Sequence, residues 1–194
     1  MAKKGNIVIV SGPSGVGKGT ICRQVVKRLD KVRLSVSATT RPRSSNEENG
    51  RDYWFISKEE FQQRIDKGLM LEYAEVFDNL YGTEKEQVEK ALTCGETIIL
   101  EIDVQGARQV KRKYPDAVMI FILPPSQKEL ANRMSKRGRE ETGSAERRLD
   151  EASNEIAAAW QFYEHMVIND ELEQAVNEVI QIIQTEKILE TKND

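Results

Sequence analysis

Between Gly12 and Thr20 the chain reads GPSGVGKGT, directly after the apolar run Ile7-Val8-Ile9-Val10. Strand, glycine loop and lysine in that order make a cradle for phosphate. Gly12, Gly15 and Gly17 let successive backbone N–H groups turn inward, and the helix that follows presents its positive N-terminus to the same spot. Lys18 adds a mobile positive charge for the β and γ phosphates of a nucleoside triphosphate. The residue after that lysine is Gly19, where a Ser or Thr commonly reaches a magnesium ion, so Thr20 is the nearest hydroxyl.

A phosphoryl donor needs an acceptor, and residues 35–43, SVSATTRPR, offer one. Two guanidinium groups and several hydroxyls lie close together there, a combination suited to forked, charge-assisted hydrogen bonds to a phosphate. Tyr53 and the Tyr81-Gly82-Thr83 segment supply further hydroxyls. Glu72 and Asp103 are the carboxylates singled out for base recognition. Guanine presents two adjacent donors on its pairing edge, whereas adenine presents a donor beside an acceptor, so a carboxylate matches the first and clashes with the second. Asp103 also stands at the carboxyl end of an apolar run, where open α/β sheets bind ligands.

The elements that must position these residues alternate. Strands are expected at Asn6 to Ser11, Thr97 to Ile102, Val118 to Leu123 and Met166 to Ile168, with helices at Lys18 to Leu29, Gln105 to Lys113 and from Ser126 to about Lys136. Thr83 with Glu86 reads as a capping box opening a helix that ends near Thr93. Two helices close the chain, one carrying Leu149, Ala152, Ile156 and Trp160 along a face, the other Leu172, Val176, Val179 and Ile183. Residues 35–84 interrupt the alternation with a polar loop, the β-like run Tyr53 to Ile56 and a helix capped by Ser57. The segment RGREETGSAE at 137–146 has no apolar pattern, and five arginines cluster around it.

With 194 residues and a formal charge of −3, the chain fits one ordinary domain with insertions and does not suit a general nucleic-acid binder. Cys22, Cys94 and the lone His165 have no metal-like spacing, and the thiols are expected to be reduced. His165 reads as structural, and Arg108, Lys111, Arg112 and Lys113 as a solvated helix face. Four aliphatic residues before Ser11 are too few for a signal or membrane segment, so a cytoplasmic location without membrane association is expected.

The chain resembles the guanylate kinases, through the blocks GPSGVGKGT, SVSATTR, ENGRDYWF, LEYAEVFDNLYGT, LEIDVQGA, FILPPS and VIND, in the family's order from residue 7 to about 170. The resemblance implies ATP-dependent, Mg²⁺-assisted phosphorylation of GMP, and of dGMP, in purine nucleotide metabolism. It implies an α/β fold: a P-loop parallel-sheet core (1–34, 85–125 and 152–194), an inserted α+β GMP-binding subdomain (35–84) and a mobile lid (126–151). By the same resemblance Arg41, Tyr53 and Tyr81 hold the GMP phosphate, and Ser37, Glu72, Thr83 and Asp103 surround guanine. ATP falls to Gly12, Pro13, Ser14, Gly15, Val16, Gly17, Lys18, Gly19 and Thr20, with Asn169 near adenine and Arg137 and Arg148 as lid arginines. Lys18, Arg41, Arg137 and Arg148 carry catalysis, and Thr20, Glu101 and Asp103 attend the magnesium through water. The implied assembly is a monomer or homodimer.

Two positions depart from the family pattern. Its second phosphate-binding arginine would fall on Ser44, but the arginine here is Arg43, one place early, so either residue is a candidate for the phosphate. Glu101 stands where Asp is frequent. Two other functions remain open on the sequence: a kinase for another nucleotide or a phosphorylated sugar, disfavoured by the carboxylates, and a catalytically silent phosphopeptide-binding module, disfavoured by the intact glycine loop.

Overall fold

Strand β1 (Asn6–Ser11) is the axis of the molecule. The computed structural model describes residues 5–136 and 152–193. β1 lies between β7 (Thr97–Glu101) and β8 (Val118–Leu123), parallel to both; β2 (Val32–Leu34) and β9 (His165–Ile168) complete a five-stranded sheet in the order β2-β7-β1-β8-β9. Helices cover both faces, which is why the central strands are apolar at every position rather than at every second one. Val8, Val10, Ile99, Ile120 and Ile122 face a core shared with α1 (Lys18–Arg28) and α7 (Leu172–Asn193). Ile7, Ile9, Ile98, Leu100, Met119 and Phe121 face the opposite core, shared with α3 (Lys85–Thr93), α4 (Val104–Lys113) and a helix α6 at 152–159. The expected α/β architecture is observed.

A second sheet, in the order β4-β3-β6-β5, is built from residues between 38 and 84. It comprises β3 (Ala38–Thr39), β4 (Trp54–Phe55), β5 (Met70–Val76) and β6 (Asn79–Glu84), with α2 (Lys58–Asp66) packed against it through Phe61. The Ser57 hydroxyl accepts from the Glu60 N–H at 3.1 Å, capping α2 as its sequence predicts. Two glutamines of the core clip the backbone of this sheet and of the segment leading into β3. Gln87 of α3 bonds both the N–H (2.9 Å) and the carbonyl (3.0 Å) of Val36, and Gln109 of α4 bonds both groups of Tyr73, at 3.4 and 2.7 Å.

The expected capping box at Thr83 is not formed. Thr83 is buried in β6 opposite Glu72, and α3 starts at Lys85 after Glu84, which makes no side-chain cap. A β-branched residue inside an antiparallel pair is held by the ladder and by packing, and its hydroxyl is not free to turn toward a helix. Trp160 is also misplaced by the sequence periodicity. The described helix ends at residue 159, and Trp160 is 67% exposed in the turn that leads into β9. The basic face of α4 is solvated as expected, with Arg108, Arg112 and Lys113 exposed, and it also makes contacts: Arg108 stacks on Phe162 at 4.2 Å, Lys111 pairs with Glu164 at 2.7 Å, and Lys113 donates to the Leu71 carbonyl. Segment 126–136 holds α5 (Gln127–Lys136), whose Leu130 and Met134 are part of the core beside α1.

Candidate active site

The donor half is the loop between β1 and α1. Gly12, Gly15 and Gly17 all have left-handed φ, at 148°, 85° and 105°. At Gly17 a Cβ would lie 2.5 Å from Asn169 Nδ2, so only glycine fits both the conformation and the contact. α1 begins at Lys18 after the N-cap Gly17, with no side-chain cap and no acidic residue in its first turn, leaving its first N–H groups and partial positive charge for an anion. Lys18 folds back on the loop, its Nζ donating to the Gly12 carbonyl at 2.5 Å and the Pro13 carbonyl at 3.2 Å. Asn169 is 5% exposed, and its amide donates to the Val16 carbonyl at 2.7 Å. Arg133 in turn holds the Asn169 carbonyl at 2.9 Å. Asn169, the position expected near adenine, thus also braces the phosphate loop from beneath.

Glu101, at the end of β7, links donor to acceptor. Its Oε2 would lie 3.1 Å from a Cβ at position 19, so the glycine there leaves room for a carboxylate against the start of α1. The same charge reaches across to Tyr53, whose phenol is pushed above its ordinary range first by burial and then by Glu101. Thr20 is exposed on the first turn. Among the described residues no three His, Cys, Asp or Glu side chains gather into a metal cage.

The acceptor half begins with Arg41. Its guanidinium forks onto Glu47 at 3.0 and 2.8 Å and lies 5.5 Å from the centre of the Tyr53 ring and 5.6 Å from that of Phe55. Tyr81 meets Tyr53 edge to face with ring centres 5.9 Å apart, so the arginine and both tyrosines converge. Ser44 donates its backbone N–H to the same Glu47 carboxylate at 2.9 Å, while the Arg43 side chain is exposed. Glu47 is the residue the motif argument did not single out. Its signal is an acid six places after an arginine expected to bind phosphate, in a loop whose other acids, Glu48 and Asp52, both pair with Arg51, at 2.6 and 2.7 Å.

Glu72 is only 2% exposed. It occupies that position because β5 carries an irregularity between Met70 and Glu72, so that Met70, Leu71 and Glu72 are buried in succession instead of alternating. Such a bulge redirects a side chain without ending the strand. Burial pushes the Glu72 carboxyl up to about 7; the Asp103 charge adds to this, while neighbouring Thr83 and the Lys113 ammonium pull the other way. Its Oε1 has no hydrogen-bond partner among the described residues, and neither does the Thr83 hydroxyl. Asp103 caps α4, accepting from the Gly106 N–H at 2.9 Å, and lines a cleft of about 440 Å³ with Glu75, Phe77, Asp78, Gln105, Asn154 and Glu155. Ser37 is buried at the entry to β3, where its carbonyl accepts from the Trp54 N–H at 2.9 Å. Arg137 and Arg148 lie outside the described residues.

The chain thus sets a phosphate loop after β1 beside the half-buried Glu101 at the end of neighbouring β7, with a buried carboxylate, Glu72, in the second sheet. The guanylate kinase family profile matches residues 4–186. The chain belongs to the guanylate kinase family. Relatives include guanylate kinases of Clostridioides difficile (45% identical over 185 residues, 95% of this chain and 90% of the relative) and Symbiobacterium thermophilum (46% over 190 residues, 98% and 90%). The guanylate kinase structure from Anaplasma phagocytophilum superimposes with a TM-score of 0.80 at 30% identity, covering 96% of this chain and 88% of that one. A gluconokinase from Sinorhizobium meliloti, at 14% identity and TM-score 0.54, shares the fold alone. No helix among the described residues is long and apolar enough to cross a membrane.

Proposed function

We propose that this chain transfers the γ-phosphoryl group of ATP to GMP, and to dGMP in the same site, giving ADP and the corresponding diphosphate. The observation that carries the reading is the buried Glu72 carboxylate with an unpartnered oxygen, in the sheet that also holds Tyr81 and whose strands β3 and β4 are flanked by Arg41 and Tyr53. A carboxylate accepts from both guanine donors, and Ser37, Thr83 and Asp103 complete the base site. The phosphate of the acceptor then meets Arg41 and the two phenols, exchanging places with Glu47 on the guanidinium. Either Arg43 or Ser44 adds to that grip. No residue assigned here addresses the ribose 2′ position, which is why dGMP belongs to the same reading.

No covalent intermediate is required. An oxygen of the acceptor phosphate attacks the γ-phosphorus in line, the bond from that phosphorus to the β,γ-bridging oxygen breaks, and ADP leaves with the electron pair. The protein contributes position and charge. The loop from Gly12 to Thr20 and the N-terminus of α1 hold the triphosphate, and Lys18 turns from the loop carbonyls to the phosphates. Arg137 and Arg148 are assigned to the transferring group on the resemblance alone. The Glu101 oxygens against Gly19 are the donor chemistry that hydrated Mg²⁺ takes. Glu101, Asp103 and Thr20 would hold such an ion through its waters, where it would supply charge neutralisation for the phosphates.

A coupled assay offering ATP with GMP, dGMP, AMP, UMP and CMP tests the reading. Turnover confined to the guanine nucleotides supports it, and equal turnover of AMP overturns the role of Glu72. A silent phosphopeptide-binding module is disfavoured by the left-handed glycines and the uncapped α1, which such a module has no use for.

A further inference from the structure

Gly106 is the third residue of α4 and is buried. Helix propensity favours alanine there, so a glycine needs a reason. A Cβ at this position would lie 2.3 Å from Glu72 Oε2, 3.0 Å from Glu72 Cδ and 3.2 Å from Asp103 Oδ1. The Glu72 carboxylate thus occupies the volume that any side chain at 106 would fill. The backbone N–H of Gly106 meanwhile donates to Asp103 Oδ1 at 2.9 Å. One residue therefore touches both base-reading carboxylates: its N–H fixes the first, and its missing side chain admits the second. A methyl group at 106 therefore requires the Glu72 carboxylate, buried at 2% exposure, to leave its present seat.

We propose that Gly106 is a positioning residue for purine selection, seating the Glu72 carboxylate against the first turn of α4 so that its free oxygen meets the pairing edge of the base. The proposal rests on the reading of Glu72 and Asp103 as part of the GMP site. Gly106→Ala displaces the carboxylate while leaving the phosphate loop, Lys18 and Arg41 in place. The expected result is a KM for GMP raised roughly 10- to 100-fold, the range for losing one hydrogen bond to a charged group. Selectivity for GMP over AMP narrows, and kcat and the KM for ATP stay near wild type.

The control is the same substitution in a Glu72→Ala background, where the space is already empty. There Gly106→Ala adds no further rise in the KM for GMP and does not lower the melting temperature at pH 8. A Gly106→Ala protein that fails to fold while Glu72→Ala/Gly106→Ala folds also supports the steric coupling. A wild-type KM for GMP in Gly106→Ala overturns the proposal, as does an equal penalty in both backgrounds or the failure of both variants to fold. If the wild-type chain shows no preference for GMP, the functional reading falls instead. The melting-temperature cycle then still decides whether Gly106 seats Glu72.

Discussion

Glu72→Gln separates what this carboxylate does for binding from what it does for stability. An unfolded glutamate titrates near 4.5, and burial raises the folded value to about 7. Below the lower value the carboxyl is neutral in both states and its titration leaves stability untouched. As pH rises from there to about 7, the unfolded chain ionises while the folded one retains its proton, so stability falls; above the folded value the loss is complete. At about 1.4 kcal/mol for each pH unit separating the two values, the native state carries a penalty of about 3 kcal/mol at pH 8. Glutamine has nearly the same shape and no charge. Allowing half the penalty to be recovered, because the amide is itself buried with few partners, the melting temperature at pH 8 should rise by about 3–6 °C for a chain of this size. At pH 4.5 variant and wild type should melt together. The same change replaces two acceptors by one acceptor and one donor, which mismatches guanine and suits adenine. The KM for GMP should rise by roughly 30-fold and the GMP/AMP ratio narrow. Calorimetric melts at the two pH values and initial rates with both nucleotides are the measurements. An equal melting temperature at pH 8, or a difference of the same size at both pH values, would refute the burial argument. An unchanged KM would refute the assignment to the base.

Removing the phosphate-binding guanidinium with Arg41→Ala should raise the KM for GMP on the order of 100-fold, since a forked, charge-assisted pair is lost. Arg43→Ala should also raise it sharply; an unchanged value would make Arg43 a surface charge and leave the contact to Ser44. Loss of the strut beneath the phosphate loop in Asn169→Ala should destabilise the fold by about 1–3 kcal/mol and raise the KM for ATP, read by denaturant titration and initial rates. Arg148→Ala should lower kcat more than it weakens ATP binding, and a pure binding defect in single-turnover rates would refute its role at the transferring group.

The core was legible because burial on both faces leaves an unmistakable signal, as in Ile7 to Val10 and Val118 to Leu123. The hairpin that carries Glu72 was not. Its turn is made by Phe77 and Asp78, both left-handed at φ 50° and 61°, a conformation that sequences announce with Asn-Gly or Asp-Gly. Here Asn79 follows instead, its amide donating to the Phe77 carbonyl at 2.7 Å. The irregularity in β5 also hides the strand, because three successive buried residues break the alternation by which half-buried strands are read. Asn169 and Glu47 were hidden differently. Their partners, Val16 and Arg41, lie across a sheet end and within a loop, and no periodicity reports such pairings.

The two glutamine amides at Val36 and Tyr73 give the acceptor sheet an attachment unlike the ladder within either sheet. Each imitates one rung of a β-pair from the tip of a long side chain, so the rung can travel with the backbone it serves or let go of it. Where a clip opens, water takes over both backbone groups, and the net change is about 0.5–1.5 kcal/mol per hydrogen bond. The residues proposed to read the base and grip the phosphate are thus linked to the core partly through two side-chain clips, whose strength can be altered at Gln87 or Gln109 without touching a residue proposed to meet substrate.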